Sequence, residues 1–157
     1  MFREAPIAGV GIRPLRCFRD PRGWLIELYR EDELAAEHHP VMAYVSQTLP
    51  GVVRGPHEHA AQTDVFAFVG PGDFTIYLWD TRRDSPTCSC RQRLVVGESN
   101  PAQVVVPPGV VHAYKNTSSV PGLVFNCPNR LYAGQGRKEP VDEIRHEEMW
   151  DTPFVLD

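Results

Sequence analysis

Short apolar segments separated by proline and glycine are the feature that most constrains how this chain can fold. Fifteen prolines and twelve glycines are spread through its 157 residues, so few stretches are long enough for an α-helix. The segments between them are rich in β-branched and aromatic residues, which favour strands joined by turns. Their regular spacing predicts an all-β sandwich or barrel. Strands are predicted at 23–30, 41–49, 51–57, 63–70, 73–80, 89–97, 102–109, 112–117 and 122–127.

The segments between the strands give further expectations. The sequence Gly70-Pro71-Gly72 stands between two apolar runs and predicts a hairpin there. Short helices are predicted at 31–39, where Pro40 ends the pattern, and at 140–150 in the polar tail. No repeat, low-complexity tract or linker interrupts the pattern, so residues 1–157 are expected to form a single domain.

Charge and composition exclude several classes of partner. The net charge of -4 at pH 7 gives no electrostatic footprint for a nucleic acid polymer or an anionic membrane. No apolar run approaches the roughly 20 residues that a membrane span requires. The N-terminus shows no signal-peptide pattern, so a cytoplasmic location is expected. The four cysteines lack zinc-site spacing and are expected to be reduced thiols.

Histidines form the clearest candidate site. His57 and His59 would share one face of an extended strand, and the next strand begins near Asp64. Together these residues resemble a shortened form of the first cupin motif, and Pro107-x-Gly109-x-x-His112-x-x-x-Asn116 matches the second. One hypothesis is therefore a divalent metal site (Zn, Fe, Ni or Mn) with His57, His59, Asp64 and His112 as ligands. The alternative is that His112 is a buried, hydrogen-bonded histidine and that His59 faces solvent.

Four longer motifs, in order, support a closer resemblance. They are DPRGWLIEL (20–28), VSQTLPGVVRGPHEH (45–59), LWDTRRDSPT (78–87) and VVPPGVVHAY (105–114). In these motifs the chain resembles the dTDP-4-dehydrorhamnose 3,5-epimerases. The resemblance implies a cupin-type double-stranded β-helix, or jelly-roll, barrel with short peripheral helices. It also implies a homodimer and a sugar-nucleotide isomerase that needs no cofactor.

The same resemblance implies roles for individual residues. The expected substrate is a dTDP-linked 4-keto-6-deoxy sugar, whose ketone acidifies the hydrogens on C3 and C5. His57 falls at the position of the base that removes such a hydrogen, a task suited to a neutral imidazole. Arg54 falls at the position that binds the diphosphate, where a guanidinium matches phosphate oxygens. The remaining substrate-binding positions fall on Arg22, Glu27, Gln62 and His112.

Two departures from the family pattern leave alternatives open. Phe125 stands where counting from His112 places the family's acid tyrosine, so Phe125→Tyr is expected to raise activity, and Tyr132 is the substitute acid. Asp64 stands where the family has a lysine, and a carboxylate there would repel a developing enolate. A bound divalent cation could replace that lysine, which gives a metal-dependent cupin enzyme acting on a small carbonyl compound. A non-catalytic sugar-binding cupin is the other alternative.

Overall fold

Thirteen strands dominate the computed structural model, which describes residues 1–157. They occupy β1 Arg3–Glu4, β2 Gly11–Pro14, β3 Cys17–Asp20, β4 Gly23–Ile26, β5 Tyr44–Thr48, β6 Val53–Glu58, β7 Asp64–Phe68, β8 Asp73–Asp80, β9 Cys90–Gly97, β10 Ala102–Val106, β11 Val110–Asn116, β12 Gly122–Asn126 and β13 Ile144–Arg145. All nine predicted strands are present, although most are shorter than predicted at one or both ends.

Two larger sheets enclose the core between them. The first, sheet A, has the order β1-β9-β8-β11-β6-β13, and the second, sheet B, has the order β2-β10-β7-β12-β5. Only the β1–β9 pair is parallel. A separate two-stranded hairpin is formed by β3 and β4. From β5 to β12 every connection except the one between β8 and β9 crosses from one sheet to the other. This is the jelly-roll arrangement, and the all-β prediction is confirmed.

The predicted hairpin at Gly70-Pro71-Gly72 is wrong. The strand before this turn, β7, belongs to sheet B and the strand after it, β8, belongs to sheet A. The turn therefore carries the chain across the core, and β8 pairs with β9 and β11 instead. A glycine-proline turn reverses the chain direction, but it does not decide whether the two strands share hydrogen bonds or face each other across the core.

Neither of the two segments predicted to be helical forms an α-helix. The segment 31–39 forms two short 3₁₀ turns, Glu31–Glu33 and Ala36–His38, rather than one helix. The predicted helix at 140–150 is wrong, because the segment contains β13, which pairs with β6. The edge of sheet A offers this segment backbone partners, and those override its local helical preference. A third 3₁₀ turn lies at Gln135–Arg137. None of the helical turns has the length and hydropathy that a membrane-spanning helix requires.

Aromatic side chains fill the space between the sheets next to the histidines, with the ring of Phe66 standing edge to face against that of His112. Phe66, Phe68, Phe74 and Tyr114 contact one another in the main core. Burial of such side chains contributes about 1.5–3 kcal/mol each. On the outer face of sheet A a second cluster forms around Trp79, and Phe154 of the C-terminal tail packs onto it. The tail thus returns across the sheet that carries the histidines. All four cysteines are free thiols.

Candidate active site

A cavity of about 950 Å³ opens between the two sheets and beneath the C-terminal segment. Its walls come from β5 of sheet B, β6 and β11 of sheet A, and residues 128–147. The polar and ionisable side chains that line the cavity include Tyr44, Arg54, His57, His59, Gln62, Tyr114, Arg130, Tyr132, Arg137, Asp142, Arg145 and Glu147.

Three histidines meet at the closed end of this cavity. His57 and His112 are paired residues on the neighbouring strands β6 and β11, and their rings stand edge to face with centroids 4.4 Å apart. His59 follows directly after β6. One ring nitrogen from each histidine lies within 4.8 Å of the others. The sequence predicted this convergence, and the alternative that His59 faces solvent is wrong.

Asp64 lies at the centre of the cluster and is 1% exposed. Its Oδ2 atom lies 3.2 Å from Nε2 of His59 and 3.2 Å from Nε2 of His112. Its Oδ1 atom accepts hydrogen bonds from Gln62 at 2.9 Å and from Asn126 at 2.8 Å. Burial alone would raise the pKa of Asp64, but the two imidazoles outweigh it and hold that pKa below its usual range.

His59 is fixed on both sides of its ring. Its Nδ1–H donates to the backbone carbonyl of Asp142, while Nε2 faces Asp64. Burial alone would lower the pKa of His59, yet the adjacent Asp64 and the Asp142 carbonyl raise it to about 9. The Asp142 carboxylate also accepts from the backbone N–H groups of residues 60, 61 and 62, at 2.8–2.9 Å. The tail residue Asp142 therefore shapes the loop that presents His59.

His57 has a different environment from the other two histidines. Burial, together with the neighbouring His112 and His59, lowers the pKa of His57 to about 2, so its ring is neutral. Its Nδ1 atom lies 3.9 Å from a carboxylate oxygen of Glu147. Gly55, with φ of 84°, lets the chain approach β11 closely, since a Cβ at this position would lie 2.5 Å from the carbonyl oxygen of His112.

Arg54 lies at the cavity wall, as its predicted role requires. Its Nε donates to the hydroxyl of Thr48 at 3.0 Å, and its Nη2 donates to the carbonyl of Gln47 at 2.8 Å. The Nη1 group has no protein partner. Three of the four arginines that line the cavity form no ion pair, namely Arg54, Arg130 and Arg137. The cavity wall thus carries unpaired positive charge.

The structure does not bring Arg22 and Glu27 into this cavity. Arg22 lies at the tip of the β3–β4 hairpin, where its side chain is 89% exposed and binds Asp20. Glu27 lies just after β4 and forms an exposed ion pair with Arg30. The prediction that both residues bind substrate is therefore wrong for the cavity of their own chain. The β3–β4 hairpin projects from the sheets, a placement that sequence motifs cannot reveal.

The structure also changes which tyrosine is placed to act as the acid. Phe125 pairs with Ala67 and packs with it in a cluster on the outer face of sheet B, so it does not line the cavity. Tyr132 lies at the rim and is 57% exposed. Tyr44 of β5 lines the cavity, and its hydroxyl accepts a 2.9 Å hydrogen bond from Asn126. Burial raises the pKa of Tyr44 to about 12, so the hydroxyl is protonated.

Sequence reasoning missed several residues of the site. Tyr44 and Asn126 are opposite one another on β5 and β12, and Tyr114 follows His112 by two residues on β11. The alternation of side chains along a strand would have placed Tyr114 on the face that carries His112. Nothing local marks Glu147 or the role of Asp142, because both reach the histidines only through the folding of the tail.

Comparison with known proteins identifies the family. A model of the family described as dTDP-4-dehydrorhamnose 3,5-epimerase matches residues 4–142, nearly the whole chain. The chain belongs to the dTDP-4-dehydrorhamnose 3,5-epimerase family. This confirms the resemblance seen in the motifs. The family consists of sugar-nucleotide epimerases, which are isomerases and need no cofactor.

Individual relatives span the chain almost end to end. A probable low-salt glycan biosynthesis epimerase, Agl13, from Haloferax volcanii is 36% identical over 93% of this chain and 96% of its own. The spore coat polysaccharide biosynthesis protein SpsL from Bacillus subtilis is 35% identical over 94% of this chain and 99% of its own. The crystal structure of a dTDP sugar isomerase from Desulfovibrio desulfuricans G20 aligns with a TM-score of 0.80 and 26% identity, covering 96% of this chain and 90% of that one. The cupin-type fold is thereby confirmed.

Proposed function

We propose that this cavity epimerises a dTDP-linked 4-keto-6-deoxy sugar by moving a proton at a carbon next to the ketone, with His57 as the base. The observation that carries the proposal is the placement of two groups on facing walls. His57 projects from β6 of sheet A, and the Tyr44 hydroxyl projects from β5 of sheet B. Inversion of a carbon requires removal of a proton from one face and its return to the other.

His57 has the placement and the neutral ring that the base needs. It is held within a largely buried cluster and lines the cavity. A carboxylate oxygen of Glu147 lies 3.9 Å from its Nδ1 atom. In the reaction the C–H bond breaks, the proton passes to His57, and the electron pair forms the enolate. The Glu147 carboxylate beside Nδ1 orients the imidazole ring and stabilises the imidazolium that forms.

Tyr44 is the residue we assign as the acid. Asn126 donates to the Tyr44 oxygen and no other protein group bonds it, so the O–H of Tyr44 is available to donate into the cavity. A proton passes to carbon from this hydroxyl and the enolate becomes a ketone again; the tyrosinate then regains a proton from solvent, and the His57 imidazolium loses its proton to solvent. Tyr132, the acid predicted from the sequence, lies at the exposed rim and is the second candidate.

Arginines at the cavity wall are suited to binding the nucleotide diphosphate of the substrate. The unpaired guanidinium groups of Arg54, Arg130 and Arg137 can bind a diphosphate, for which arginine has matching geometry. Gln62 and His112 act less directly than predicted, because each faces Asp64. The relatives named for glycan and spore coat polysaccharide biosynthesis support a role in supplying a sugar for a surface polysaccharide.

The proposal includes a homodimer in which each cavity receives residues from the partner. Exposed apolar side chains at the open edge of sheet B and on the β3–β4 hairpin support it, among them Phe18, Trp24, Leu25, Val45 and Leu49. Arg22 and Glu27 lie outside their own cavity, so they can bind substrate only in a partner's. A cytoplasmic location, expected from the sequence, also belongs to the proposal, and the free thiols are compatible with a reducing compartment.

Proton NMR of dTDP-4-keto-6-deoxyglucose in D₂O tests the chemistry. We expect the C3 signal, the C5 signal or both to disappear with the wild-type protein and to persist with His57→Asn. His38→Asn, outside the cavity, is the matched control and should behave as wild type. Loss of the C3 signal alone would indicate epimerisation at one carbon. If the folded wild-type protein binds the compound but exchanges neither hydrogen, the epimerase proposal is wrong and the sugar-binding alternative takes its place.

Mixing two variants tests the shared site. His57→Asn and Arg22→Ala proteins are each expected to be inactive, but a mixture that exchanges subunits should recover about a quarter of the wild-type activity, since half of the dimers carry one intact site. Sedimentation would establish the dimer independently. A monomeric active protein, or a dimer with no recovery on mixing, would contradict the shared arrangement while leaving the role of His57 intact.

A further inference from the structure

The buried carboxylate of Asp64 has no role in the proton transfer proposed above. In that reaction His57 takes a proton and Tyr44 gives one, while Asp64 is 1% exposed and touches neither. The cofactor-free chemistry of the family gives no support to the metal site that the sequence suggested. Burying a carboxylate costs free energy unless it is paired and hydrogen-bonded, so the purpose of Asp64 depends on the groups that bind it.

The two oxygens of the Asp64 carboxylate contact different groups. Oδ2 lies 3.2 Å from Nε2 of His59 and 3.2 Å from Nε2 of His112. Oδ1 accepts hydrogen bonds from the side chains of Gln62 and Asn126, at 2.9 and 2.8 Å. His59 is charged at neutral pH because its pKa is raised to about 9, and this ion pair keeps the carboxylate ionised. An ionised carboxylate has no hydrogen to donate, so Oδ1 can only accept.

That acceptor fixes the direction in which the Asn126 amide faces. Asn126 is 2% exposed, and its Nδ2 group donates to Oδ1 of Asp64 at 2.8 Å and to the Tyr44 hydroxyl oxygen at 2.9 Å. Rotating the amide by half a turn would place its oxygen against the carboxylate oxygen, where two acceptors repel each other. The Oδ1 atom of Asn126 is buried and has no hydrogen-bond partner. This unpaired oxygen is the cost of an orientation that directs both N–H groups at Asp64 and Tyr44.

The orientation of the amide in turn decides where the Tyr44 hydrogen points. The hydroxyl oxygen already accepts from Asn126, which lies directly opposite Tyr44 on the paired strands β12 and β5. The hydrogen of the hydroxyl must therefore be directed away from Asn126. Tyr44 lines the cavity and forms no second side-chain hydrogen bond, so this hydrogen is free to bond a substrate there. With the amide reversed, the hydroxyl would donate to the Asn126 oxygen and would have no hydrogen for the substrate.

We propose that Asp64 and Asn126 are positioning residues that set the direction of the Tyr44 hydroxyl. The carboxylate orients the amide, and the amide holds the tyrosine oxygen as an acceptor, so that the O–H is presented to the cavity. The inference rests on the proposed function, in which Tyr44 is the acid. It adds no proton step: when the O–H bond breaks and the proton passes to carbon, the same Asn126 N–H stabilises the tyrosinate oxygen. Asp64 also faces the base side of the cavity, because its other oxygen contacts His112, whose ring packs edge to face against that of His57.

A double-mutant cycle tests whether the effect of Asn126 depends on Tyr44. Exchange of the sugar hydrogens in D₂O is measured by NMR for the wild type, Asn126→Leu, Tyr44→Phe and the double variant. We expect Asn126→Leu to lower kcat about tenfold or more with little change in KM, because the hydroxyl can then turn away from the substrate. In the Tyr44→Phe background, where no hydroxyl remains to be directed, it should change the rate less than about twofold. Equal losses in both backgrounds, or no loss in either, would overturn the inference.

A second buried asparagine provides the control for a merely structural effect. Asn116 is 0% exposed and lies outside the cavity, so Asn116→Leu should leave the kcat of the folded protein as in the wild type. Urea unfolding of each variant establishes the folded fraction. If either leucine variant does not fold, Asn126→Ser and Asn116→Ser replace the pair, since serine is too short to reach both Asp64 and Tyr44. The same outcomes then apply.

The hydrogen bond itself can be observed without any sugar. In a ¹H–¹⁵N spectrum the side-chain amide of Asn126 gives two N–H signals, which are identified by their absence in the Asn126 variant. We expect Tyr44→Phe to shift these signals and Tyr132→Phe to leave them in place; signals that ignore Tyr44→Phe would overturn the inference. If the wild type exchanges no sugar hydrogen, the epimerase proposal is wrong. The amide signals then decide separately whether Asn126 holds the Tyr44 hydroxyl.

Discussion

Phe125 and Asn126 are adjacent on β12, but their side chains lie on opposite faces of sheet B. Phe125 packs in the outer cluster with Ala67, whereas Asn126 bonds Asp64 and Tyr44 at the cavity. A hydroxyl at position 125 would therefore point away from His57. The sequence-based expectation that Phe125→Tyr raises activity loses its physical basis.

The first prediction concerns these tyrosine positions. We expect Phe125→Tyr to leave the rate of sugar-hydrogen exchange unchanged, and Tyr44→Phe to lower kcat by about 10²–10⁴ because the acid is lost. Tyr132→Phe is the companion variant and should have a small effect. Exchange followed by NMR in D₂O measures all three. A large loss in Tyr132→Phe with normal activity in Tyr44→Phe would return the acid role to Tyr132.

Glu147 is predicted to act as a positioning residue for His57, from 3.9 Å. Glu147→Gln keeps the shape but removes the charge that orients the ring, so kcat should fall about tenfold or more while KM changes little. Glu147→Asp keeps the charge, so its kcat should lie between those of Glu147→Gln and the wild type. The neighbouring Glu148, whose side chain is exposed and pairs with Arg145, gives the control Glu148→Gln. Equal kinetics for the two glutamine variants would contradict the assignment.

Asp80 is predicted to stabilise the fold rather than the chemistry. It is 0% exposed and accepts hydrogen bonds from Arg82, Ser85 and Thr87. Asp80→Asn should lower the free energy of unfolding by about 2–3 kcal/mol at neutral pH, because charge-assisted bonds are lost. Asp84→Asn, in the same loop but exposed, should change it little.

The pH dependence of the Asp80 effect has a definite sign. Burial alone would raise the pKa of Asp80, but Arg82 and the two hydroxyls hold it well below its usual range. The stabilisation is therefore complete above the unfolded pKa of about 3.9 and is lost as the pH falls through the lower folded value. Urea unfolding at pH 7 and near pH 3 should show a smaller difference between wild type and Asp80→Asn at the acidic pH. A difference that grows on acidification would contradict this account.

Gly55 is predicted to be indispensable for the contact between β6 and β11. Its positive φ disfavours any side chain, and an added Cβ would lie 2.5 Å from the His112 carbonyl. Gly51 also has a positive φ, of 74°, but nothing lies within 4 Å of its Cβ position. Gly51→Ala should cost about 1–2 kcal/mol of backbone strain. Gly55→Ala should cost clearly more in urea unfolding and should also reduce activity, and equal costs would show that the close approach is unimportant.

The histidine cluster was predictable because its geometry follows from local rules. His57 and His59 alternate on one extended segment, and Asp64 begins the next strand. Residues that alternate along paired strands must share a face, so a single assumption about strand pairing joined them with His112. The same rule, applied to β5 and β12, would have shown that Tyr44 and Asn126 face the cavity, but their pairing was not visible in the sequence.

The amino-acid sequence by itself determined the nine main strands, the all-β fold, the family and the chemical identity of the His57–His59–Asp64–His112 cluster. These depend on side-chain periodicity and on ordered motifs, both of which are local. Only the tertiary structure decided that the Gly70–Gly72 turn crosses between sheets, that Phe125 faces outward, and that Glu147 and Asp142 reach the histidines. Each of these depends on contacts between segments far apart in the chain, where hydrogen-bond partners and packing choose among arrangements that local preference leaves equal.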